Sequence, residues 1–208
     1  RPGYRAATEA EVTAASRAAD APVPEATRAI NAALDRLGRV RPDTRFLINA
    51  VASAGPKRSL WVAGELQSQA GRPDDFAQGA TADIEATAGG ASTTTRVTLR
   101  AGERAFLTTM PLPAGGTELS IRARLVAASG GALPVSDMLR IDTSQGMQPL
   151  LFRRGIATGN RLVPAAYLRF SRTERVRLEL PVEANAKPGS GRLLDRTGQP
   201  TQVPVTVG

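Results

Sequence analysis

The chain contains neither histidine nor cysteine in its 208 residues. Histidine is the common general base near neutral pH and a frequent metal ligand, while cysteine is a ready nucleophile and soft ligand. Their absence excludes the usual zinc sites, histidine-activated serine triads and cysteine nucleophiles. The chain also lacks a Gly-x-Ser-x-Gly elbow and a glycine-rich phosphate loop that leads into a helix. We therefore expect a non-catalytic chain with no cofactor, no metal site and an unknown binding surface.

Lysine and aromatic residues are scarce. The lysines are Lys57 and Lys187, and aromatic residues make up 4% of the chain, so arginine supplies nearly all of the positive charge behind the net +8. The arginines are scattered and alanine is abundant, which indicates a coding bias rather than a clustered nucleic-acid surface with stacking aromatics. Both lysines adjoin prolines in turn-like segments, where the burial that activates a Ser-Lys dyad is not expected. We expect no nucleic-acid partner.

Long hydrophobic runs are also absent. No stretch approaches the ~20 apolar residues of a membrane span, so no membrane span is expected. No signal peptide is visible and the chain starts at Arg1. We interpret the chain as a piece of a longer polypeptide.

Residues 1–43 are predicted to form a linker and one helix. Pro24 suits the first helical turn and Gly38 a helix end, which places the helix at residues 24–38. Its apolar residues follow helical spacing, and this pattern favours packing against a neighbouring domain over binding a separate partner. The apolar stripe consists of Ile30, Ala33, Leu34 and Leu37.

Between residues 44 and 143, apolar and polar residues alternate with a period of two. This alternation is typical of half-buried strands, and turn signals rich in glycine and proline separate the runs. Seven such runs predict an antiparallel β-sandwich of the immunoglobulin-like class. The predicted inward residues include Phe46, Ile48, Val62, Ile84, Val97, Leu119, Ile121 and Leu125.

Residues 144–208 are predicted to be a partial second sandwich module. A first strand is expected at Pro149–Arg153. A hairpin is expected around Thr197-Gly198-Gln199, with its two strands at Gly191–Arg196 and Gln202–Val207. These strands are too few to close a sandwich, so we expect a truncated module that leans on the first sandwich or pairs with another copy of the chain. The expected inward residues are Phe170, Val176, Leu178 and Leu180, and Val203, Val205 and Val207 would need a cover.

One stretch resembles a known domain family. Phe106-Leu107-Thr108-Thr109-Met110-Pro111-Leu112-Pro113-Ala114-Gly115-Gly116-Thr117-Glu118-Leu119-Ser120-Ile121-Arg122-Ala123-Arg124 resembles the passage between the fifth and sixth strands of fibronectin type III-like domains. In those domains a turn of proline and glycine leads into a long alternating strand. The resemblance covers about half of the chain and implies a fibronectin type III-like sandwich at residues 44–143.

A second resemblance extends over more of the chain. Arg1-Pro2-Gly3-Tyr4-Arg5-Ala6 resembles the exit from the von Willebrand factor type A-like domain of large exported bacterial proteins, in which a linker, a helix and sandwich modules follow. Gly155-Ile156-Ala157-Thr158-Gly159-Asn160 and Phe170-Ser171-Arg172-Thr173-Glu174 resemble their later modules. The resemblance implies an extracytoplasmic location. The Asp-x-Ser-x-Ser metal motif of that family has no match here, so no metal residue can be transferred.

Two pairs of carboxylates are candidates for chemistry. Asp74 and Asp75 could contribute to a calcium site, but Pro73-Asp74-Asp75 without further ligand spacing is more typical of a turn. Asp83 and Glu85 stand two apart on a predicted strand, a spacing of the scale used by glycosidases. Alternation places this pair on a solvated face, so we expect no catalysis there.

Two arginine pairs and one tryptophan are candidates for binding. Arg122 and Arg124, like Arg175 and Arg177, could form basic stripes for an acidic glycan or a lipid headgroup. Solvated charges that discourage edge-to-edge aggregation are the simpler interpretation. Trp61 could be an exposed contact residue, although an early-strand tryptophan in a sandwich more often belongs to the core.

These observations favour a non-catalytic structural or interaction module of a larger exported bacterial protein. Its expected role is to space or dock a neighbouring domain, with protein or glycan adhesion as an added role. Neighbouring domains of the same polypeptide are the expected partners, and self-association through the truncated module is a further expectation. The alternative is a carbohydrate-binding or accessory module of an extracellular enzyme, which an exposed row of aromatic residues would favour.

Overall fold

A computed structural model describes residues 45–53, 58–67, 74–144, 148–180, 189–195 and 197–207. Within these ranges the protein is mainly β, and all of its strand pairs are antiparallel. This confirms the predicted mainly β, antiparallel class. The predicted helix at residues 24–38 lies outside the described residues. The described residues from 45 to 180 belong to one compact unit, whereas those from 189 to 207 belong to another.

Seven strands of the larger unit form two sheets that share one hydrophobic core. The first sheet has the order β1-β2-β5 and the second has the order β4-β3-β6-β7. Each strand falls on one of the seven alternating runs, so these strand predictions are confirmed. The strands are β1 (Phe46–Ala52), β2 (Ser59–Leu66), β3 (Ala80–Ala88), β4 (Ala91–Leu99), β5 (Ala105–Pro111), β6 (Glu118–Ala127) and β7 (Val135–Asp142).

The core between these two sheets is built from the predicted inward residues. Ile121 and Leu125 on β6 are fully buried, and Ile84 on β3 is 1% exposed. The prediction for Val97 is only partly correct, because this residue is half-buried on β4, an edge strand of the second sheet. An edge strand has a neighbour on one side only, so its inward side chains receive less cover. The other predicted members, Phe46, Ile48, Val62 and Leu119, are buried.

Two side chains link the sheets along their opposite seams. Asp137 on β7 accepts a hydrogen bond from the backbone N–H of Ile48 on β1, at 2.9 Å. On the other seam, the Thr93 hydroxyl of β4 donates to the backbone carbonyl of Pro111 on β5, at 3.0 Å. These bonds use backbone groups that the sheet ladders leave without a partner, and a strand edge with such groups would otherwise be open to another chain.

A close backbone approach fixes one end of these sheets. Gly89, in the β3–β4 turn, has a φ of 52° and lies against Gly115 of the β5–β6 loop. A Cβ atom at position 89 would lie 1.7 Å from the Gly115 carbonyl oxygen. The neighbouring Gly90 also has a positive φ, but a Cβ atom there would meet nothing within 4 Å. Position 89 therefore requires glycine for space as well as for conformation.

A third sheet covers the outer face of the first sheet. Its order is β10-β8-β9, with β8 at Leu150–Arg154, β9 at Val163–Ala165 and β10 at Arg175–Glu179. Leu150 and Phe152 of β8 pack against Val51 and Ala63, which point away from the main core. The β1-β2-β5 sheet is consequently buried on both faces. Packing of β8 on the first sheet is one of the two arrangements expected for residues 144–208.

The predicted inward face of residues 170–180 is wrong for β10. Val176 and Leu178 are exposed, and Phe170 is half-buried. Alternation correctly groups these residues on one side, but β10 is an edge strand and its apolar side receives no cover from the described residues. The short strand β9 was not predicted, because Pro164 at its centre is atypical of a strand interior.

The predicted C-terminal hairpin reduces to a turn with a single β-bridge. Leu194 and Pro200 form this antiparallel bridge, and the Asp195 N–H donates to the Gln199 carbonyl at 2.8 Å. The Asp195 carboxylate accepts the Thr197 hydroxyl at 2.6 Å and the N–H groups of Gln199 and Thr197 at 3.0 and 2.8 Å, and these three hydrogen bonds lower the pKa of Asp195. The turn prediction is confirmed, whereas the two predicted strands do not form within the described residues. Val203, Val205 and Val207 are about half exposed.

Candidate functional site

The adjacent carboxylates Asp74 and Asp75 belong to a turn, not to a ligand cluster. Asp74 forms an ion pair with Arg104, and its backbone carbonyl accepts the N–H of Ala77 at 3.0 Å. Asp75 Oδ2 lies 2.9 Å from Arg45 Nη1. Each carboxylate is thus neutralised by a different arginine. Across the described ranges, no group of three or more acidic residues is arranged to hold a metal ion.

The second carboxylate pair lies in an open groove on the outer face of the β4-β3-β6-β7 sheet. The groove has a volume of about 600 Å³ and is lined by charged and threonine side chains from β3, β4 and β6. Asp83 forms an ion pair with Arg96, with Oδ1 2.6 Å from Nε. Glu85 is exposed and accepts the Ser92 hydroxyl at 3.1 Å. Neither carboxylate is buried, which agrees with the predicted solvated face.

Arg122 and Arg124 line the same groove from β6. The strand register places Arg122 beside Glu85 and Arg124 beside Asp83. Both arginines are exposed, and neither makes an ion pair in the part of the chain that the structure describes. Two cations with unused hydrogen-bond donors therefore face solvent in a concave surface. The second predicted pair, Arg175 and Arg177, lies apart from the groove, on β10.

The most unusual polar cluster lies between the first and third sheets, and the sequence did not predict it. Glu65 on β2 and Arg153 on β8 are each only 9% exposed. Glu65 Oε2 lies 3.4 Å from Arg153 Nη2 and accepts the backbone N–H groups of Ala166 and Tyr167, at 3.0 and 2.8 Å. Ala166 and Tyr167 follow β9. One carboxylate of the first sheet therefore accepts hydrogen bonds from two backbone N–H groups of the loop that leaves the third sheet.

Arg153 is enclosed by groups from the third sheet and its loops. Its guanidinium donates to the Tyr167 carbonyl and lies 5.0 Å from the centre of the Phe170 ring. Arg153 Nη1 also lies 3.6 Å from Glu174 Oε1, and the other oxygen of Glu174 accepts the Ser171 N–H at 2.6 Å. The guanidinium is thus held between two carboxylates, a carbonyl and an aromatic face, while its buried Nε has no hydrogen-bond partner among the described residues.

Burial determines the acidity of Glu65. Removal of water from around the carboxylate raises the pKa of Glu65 above its ordinary value of 4.5. The N–H of Tyr167, the charge of Arg153 and the N–H of Ala166 oppose this shift without cancelling it. The charged form of Glu65 is therefore less favourable inside the network than it would be in water. The Glu65 carboxyl connects β2 of the first sheet to the loop that follows β9 of the third sheet.

Residues 155–161 form a compact turn beside this network. The Thr158 hydroxyl accepts the N–H of Gly155 at 3.0 Å and lies 2.7 Å from the Arg161 carbonyl. Gly159 and Asn160 both adopt left-handed conformations, with φ values of 59° and 58°. A Cβ atom at Gly155 would lie 2.9 Å from Glu174 Cγ. This turn brings the chain into contact with the carboxylate that pairs with Arg153.

The remaining candidate residues are Trp61 and the two lysines. Trp61 is half-buried and packs against the apolar cluster between the first and third sheets, so it is a core contact rather than an exposed one. Lys57 and Lys187 lie outside the described residues. One signal could have identified the network, namely an acidic residue within Leu60-Trp61-Val62-Ala63-Gly64-Glu65-Leu66, an otherwise uncharged strand.

Comparisons with known proteins add no relative. Protein-family models, curated proteins and solved structures give no match to this chain. Among the described residues, no helix has the length and hydrophobicity needed to cross a membrane.

Proposed function

We propose that the chain is a non-catalytic structural and interaction module of a larger exported bacterial protein, which spaces or docks a neighbouring domain. The two-sheet body is proposed to be a fibronectin type III-like sandwich. Its 3+4 division of strands, with orders β1-β2-β5 and β4-β3-β6-β7, supports this proposal because it is the constant-type immunoglobulin-like arrangement with one strand moved between sheets.

The observation that carries the proposal is the buried junction between the first and third sheets. Apolar contacts of Leu150 and Phe152 and the Glu65–Arg153 pair fasten the third sheet to the sandwich. Breaking a buried ion pair by removal of one partner typically costs about 3–5 kcal/mol. A spacer must keep a fixed distance between its ends, and a junction that resists bending provides that property.

Distance measurements between paired spin labels test this role. The chain has no cysteine, so Thr94→Cys on β4 and Arg175→Cys on β10 allow specific labelling of two exposed positions. A spacer predicts one narrow distance distribution, which Glu65→Ala broadens. Glu85→Ala, which removes an exposed carboxylate, is the matched control and leaves the distribution narrow. A broad distribution in the unaltered chain would contradict the spacer role.

A second candidate function is adhesion to an acidic glycan at the groove. The exposed Arg122 and Arg124 favour it, since guanidinium groups bind carboxylate and sulfate oxygens through paired hydrogen bonds. The groove has no aromatic lining residue on which a neutral sugar ring could stack. For this reason the ligand class is acidic rather than neutral.

Titration calorimetry with a polyuronate and a neutral polysaccharide tests adhesion. Binding of the polyuronate alone is expected, with loss of affinity in the Arg122→Gln, Arg124→Gln double variant. The Arg161→Gln, Arg172→Gln variant changes the net charge equally at exposed positions away from the groove. Equal losses in both variants would indicate non-specific charge attraction and would exclude the groove as the site.

A further inference from the structure

Strand β10 is an exposed edge with an apolar side. It pairs with β8 along one side only, and no described strand pairs with its other side. Val176 is 41% exposed, Leu178 is 60% exposed and the next residue beyond the strand, Leu180, is 51% exposed. An edge strand with unpaired backbone groups and exposed apolar side chains is a template for pairing with another strand.

The charges of β10 make this strand complementary to a second copy of itself. In an antiparallel pairing centred on Leu178, Arg177 of each copy lies opposite Glu179 of the other. The same register places Val176 opposite Leu180 and Leu178 opposite itself. From Val176 to Leu180, each cross-strand pair in this register is either apolar or of opposite charge, and both kinds of pair stabilise antiparallel sheets.

Alternative registers are less favourable. A pairing centred on Arg177 would place the two Arg177 side chains opposite each other, and like charges directly opposite destabilise a sheet. A register shifted by one residue would place Arg177 opposite Leu178. Each apolar side chain would then lie opposite a charged one on the other copy. The register centred on Leu178 is therefore the preferred self-complementary solution.

The existing ion pair on β10 strengthens this selection. Within one copy, Arg177 Nε lies 2.9 Å from Glu179 Oε1. Pairing about Leu178 brings two such ion pairs together as a ring of alternating charges on one face of the new ladder. On the other face, Val176, Leu178 and Leu180 of both copies form a continuous apolar stripe that is removed from water.

Other strand edges of this unit offer less to a second copy. Strand β9 has three residues, and its central Pro164 has no N–H to donate. The β1 edge already donates the Ile48 N–H to Asp137. The β4 edge is linked to Pro111 through Thr93. Strand β10 has no comparable link among the described residues.

We propose that β10 is a homodimerisation edge, at which two copies of the chain join their third sheets into one six-stranded antiparallel sheet about a two-fold axis through Leu178. An isologous interface of this kind closes after two copies and so leads to a dimer rather than a fibre. The proposal is independent of the spacer role, because a spacer can act as a monomer or as a dimer.

Cysteine cross-linking tests the register. In the proposed dimer the two Leu178→Cys side chains face each other, with Cβ atoms about 4.5–5.5 Å apart, near the span of a disulfide. Val176→Cys is the matched control, because position 176 faces position 180 instead of itself. Oxidation should cross-link Leu178→Cys several-fold faster than Val176→Cys. Faster cross-linking of Arg177→Cys, or equal slow rates at all three positions, would overturn the proposal.

Charge reversal tests the same interface in solution. Sedimentation velocity of the full chain should show a concentration-dependent dimer. Arg177→Glu places two carboxylates opposite each other at both ends of the ladder, and the dimer should weaken by about tenfold or more. Addition of Glu179→Arg restores opposite charges and should restore the dimer, while Arg122→Glu in the groove leaves it unchanged. A chain that stays monomeric into the high-micromolar range, or a double variant that fails to recover, would overturn the proposal.

Discussion

The carboxylate of Glu65 on β2 lies 3.4 Å from the guanidinium of Arg153 on β8, and both side chains are almost completely buried. The pair connects two sheets that are distant in sequence. The Tyr167 backbone strengthens this connection, because its N–H donates to Glu65 and its carbonyl accepts from Arg153. Both ions are thus held by the same peptide segment of the third sheet.

Truncation of Glu65 should remove the polar contacts between the third sheet and β2. Glu65→Ala leaves Arg153 with only Glu174 as a counter-ion and removes the acceptor of two backbone N–H groups. We expect the free energy of unfolding to fall by about 3–5 kcal/mol, measured by urea denaturation. Glu85→Ala, on the solvated groove, should change it by less than about 0.5 kcal/mol. Similar small changes in both variants would show that Glu65 is not held as described.

The raised pKa of Glu65 predicts a pH dependence of stability. The folded pKa lies above the ordinary value of 4.5, so the folded state binds this proton more tightly than the unfolded state. The resulting stabilisation is fully present below that ordinary value and is lost as the pH rises through the folded pKa. Glu65→Gln cannot ionise and should lack this component. The stability of the unaltered chain relative to Glu65→Gln should therefore fall with rising pH. A relative stability that rises instead would mean that Arg153 dominates and lowers the pKa.

The centre of the main core should be intolerant of truncation. Ile121 is fully buried between the two sheets of the sandwich, so Ile121→Ala removes apolar contacts and leaves a cavity. The expected loss is about 2–5 kcal/mol, measured as a lower denaturation midpoint. Leu133→Ala, at a position that is 87% exposed, is the control and should leave the midpoint nearly unchanged. An unmoved midpoint for Ile121→Ala would contradict the assigned inward face.

Substitutions of Gly89 and Gly90 distinguish the effect of a steric clash from the effect of backbone strain. Both have positive φ angles, so an alanine at either position carries backbone strain, of about 1–3 kcal/mol. Only at position 89 does the new Cβ atom meet backbone, at the Gly115 carbonyl. Gly89→Ala should lower the thermal midpoint clearly further than Gly90→Ala. Equal midpoints would indicate that the β3–β4 turn and the β5–β6 loop do not touch.

The alternation of side chains was sufficient to locate the seven strands of the sandwich. It could not indicate what covers the other face of each strand. On β2, Trp61 and Glu65 lie on the face opposite Leu60, and that face is covered by β8 and its neighbours. The cover comes from a segment far along the chain, and a period of two carries no information about such a distant contact.

The same limit explains the errors in the third sheet. Val176 and Leu178 share a face as predicted, yet that face is exposed because β10 is an edge strand. Position at a sheet edge depends on the order of strands, which local patterns do not encode. The Glu65–Arg153 pair was not predicted for a related reason. The two residues and the backbone groups that they bind lie in segments that are far apart in the sequence. In contrast, the solvated strand face of Asp83 and Glu85 needed only local alternation and was predicted correctly, whereas the groove on that face was not predicted.

Glu65 fastens the third sheet to the two-sheet body. Amide hydrogen exchange at Ala166 and Tyr167, followed by NMR, tests this connection most directly, because these N–H groups bond to the Glu65 carboxylate rather than to a strand. In the unaltered chain both should exchange as slowly as Ile84 in the sandwich, and Glu65→Ala should make them exchange rapidly while Ile84 stays protected. Rapid exchange of both amides in the unaltered chain, or unchanged protection in the variant, would contradict the account.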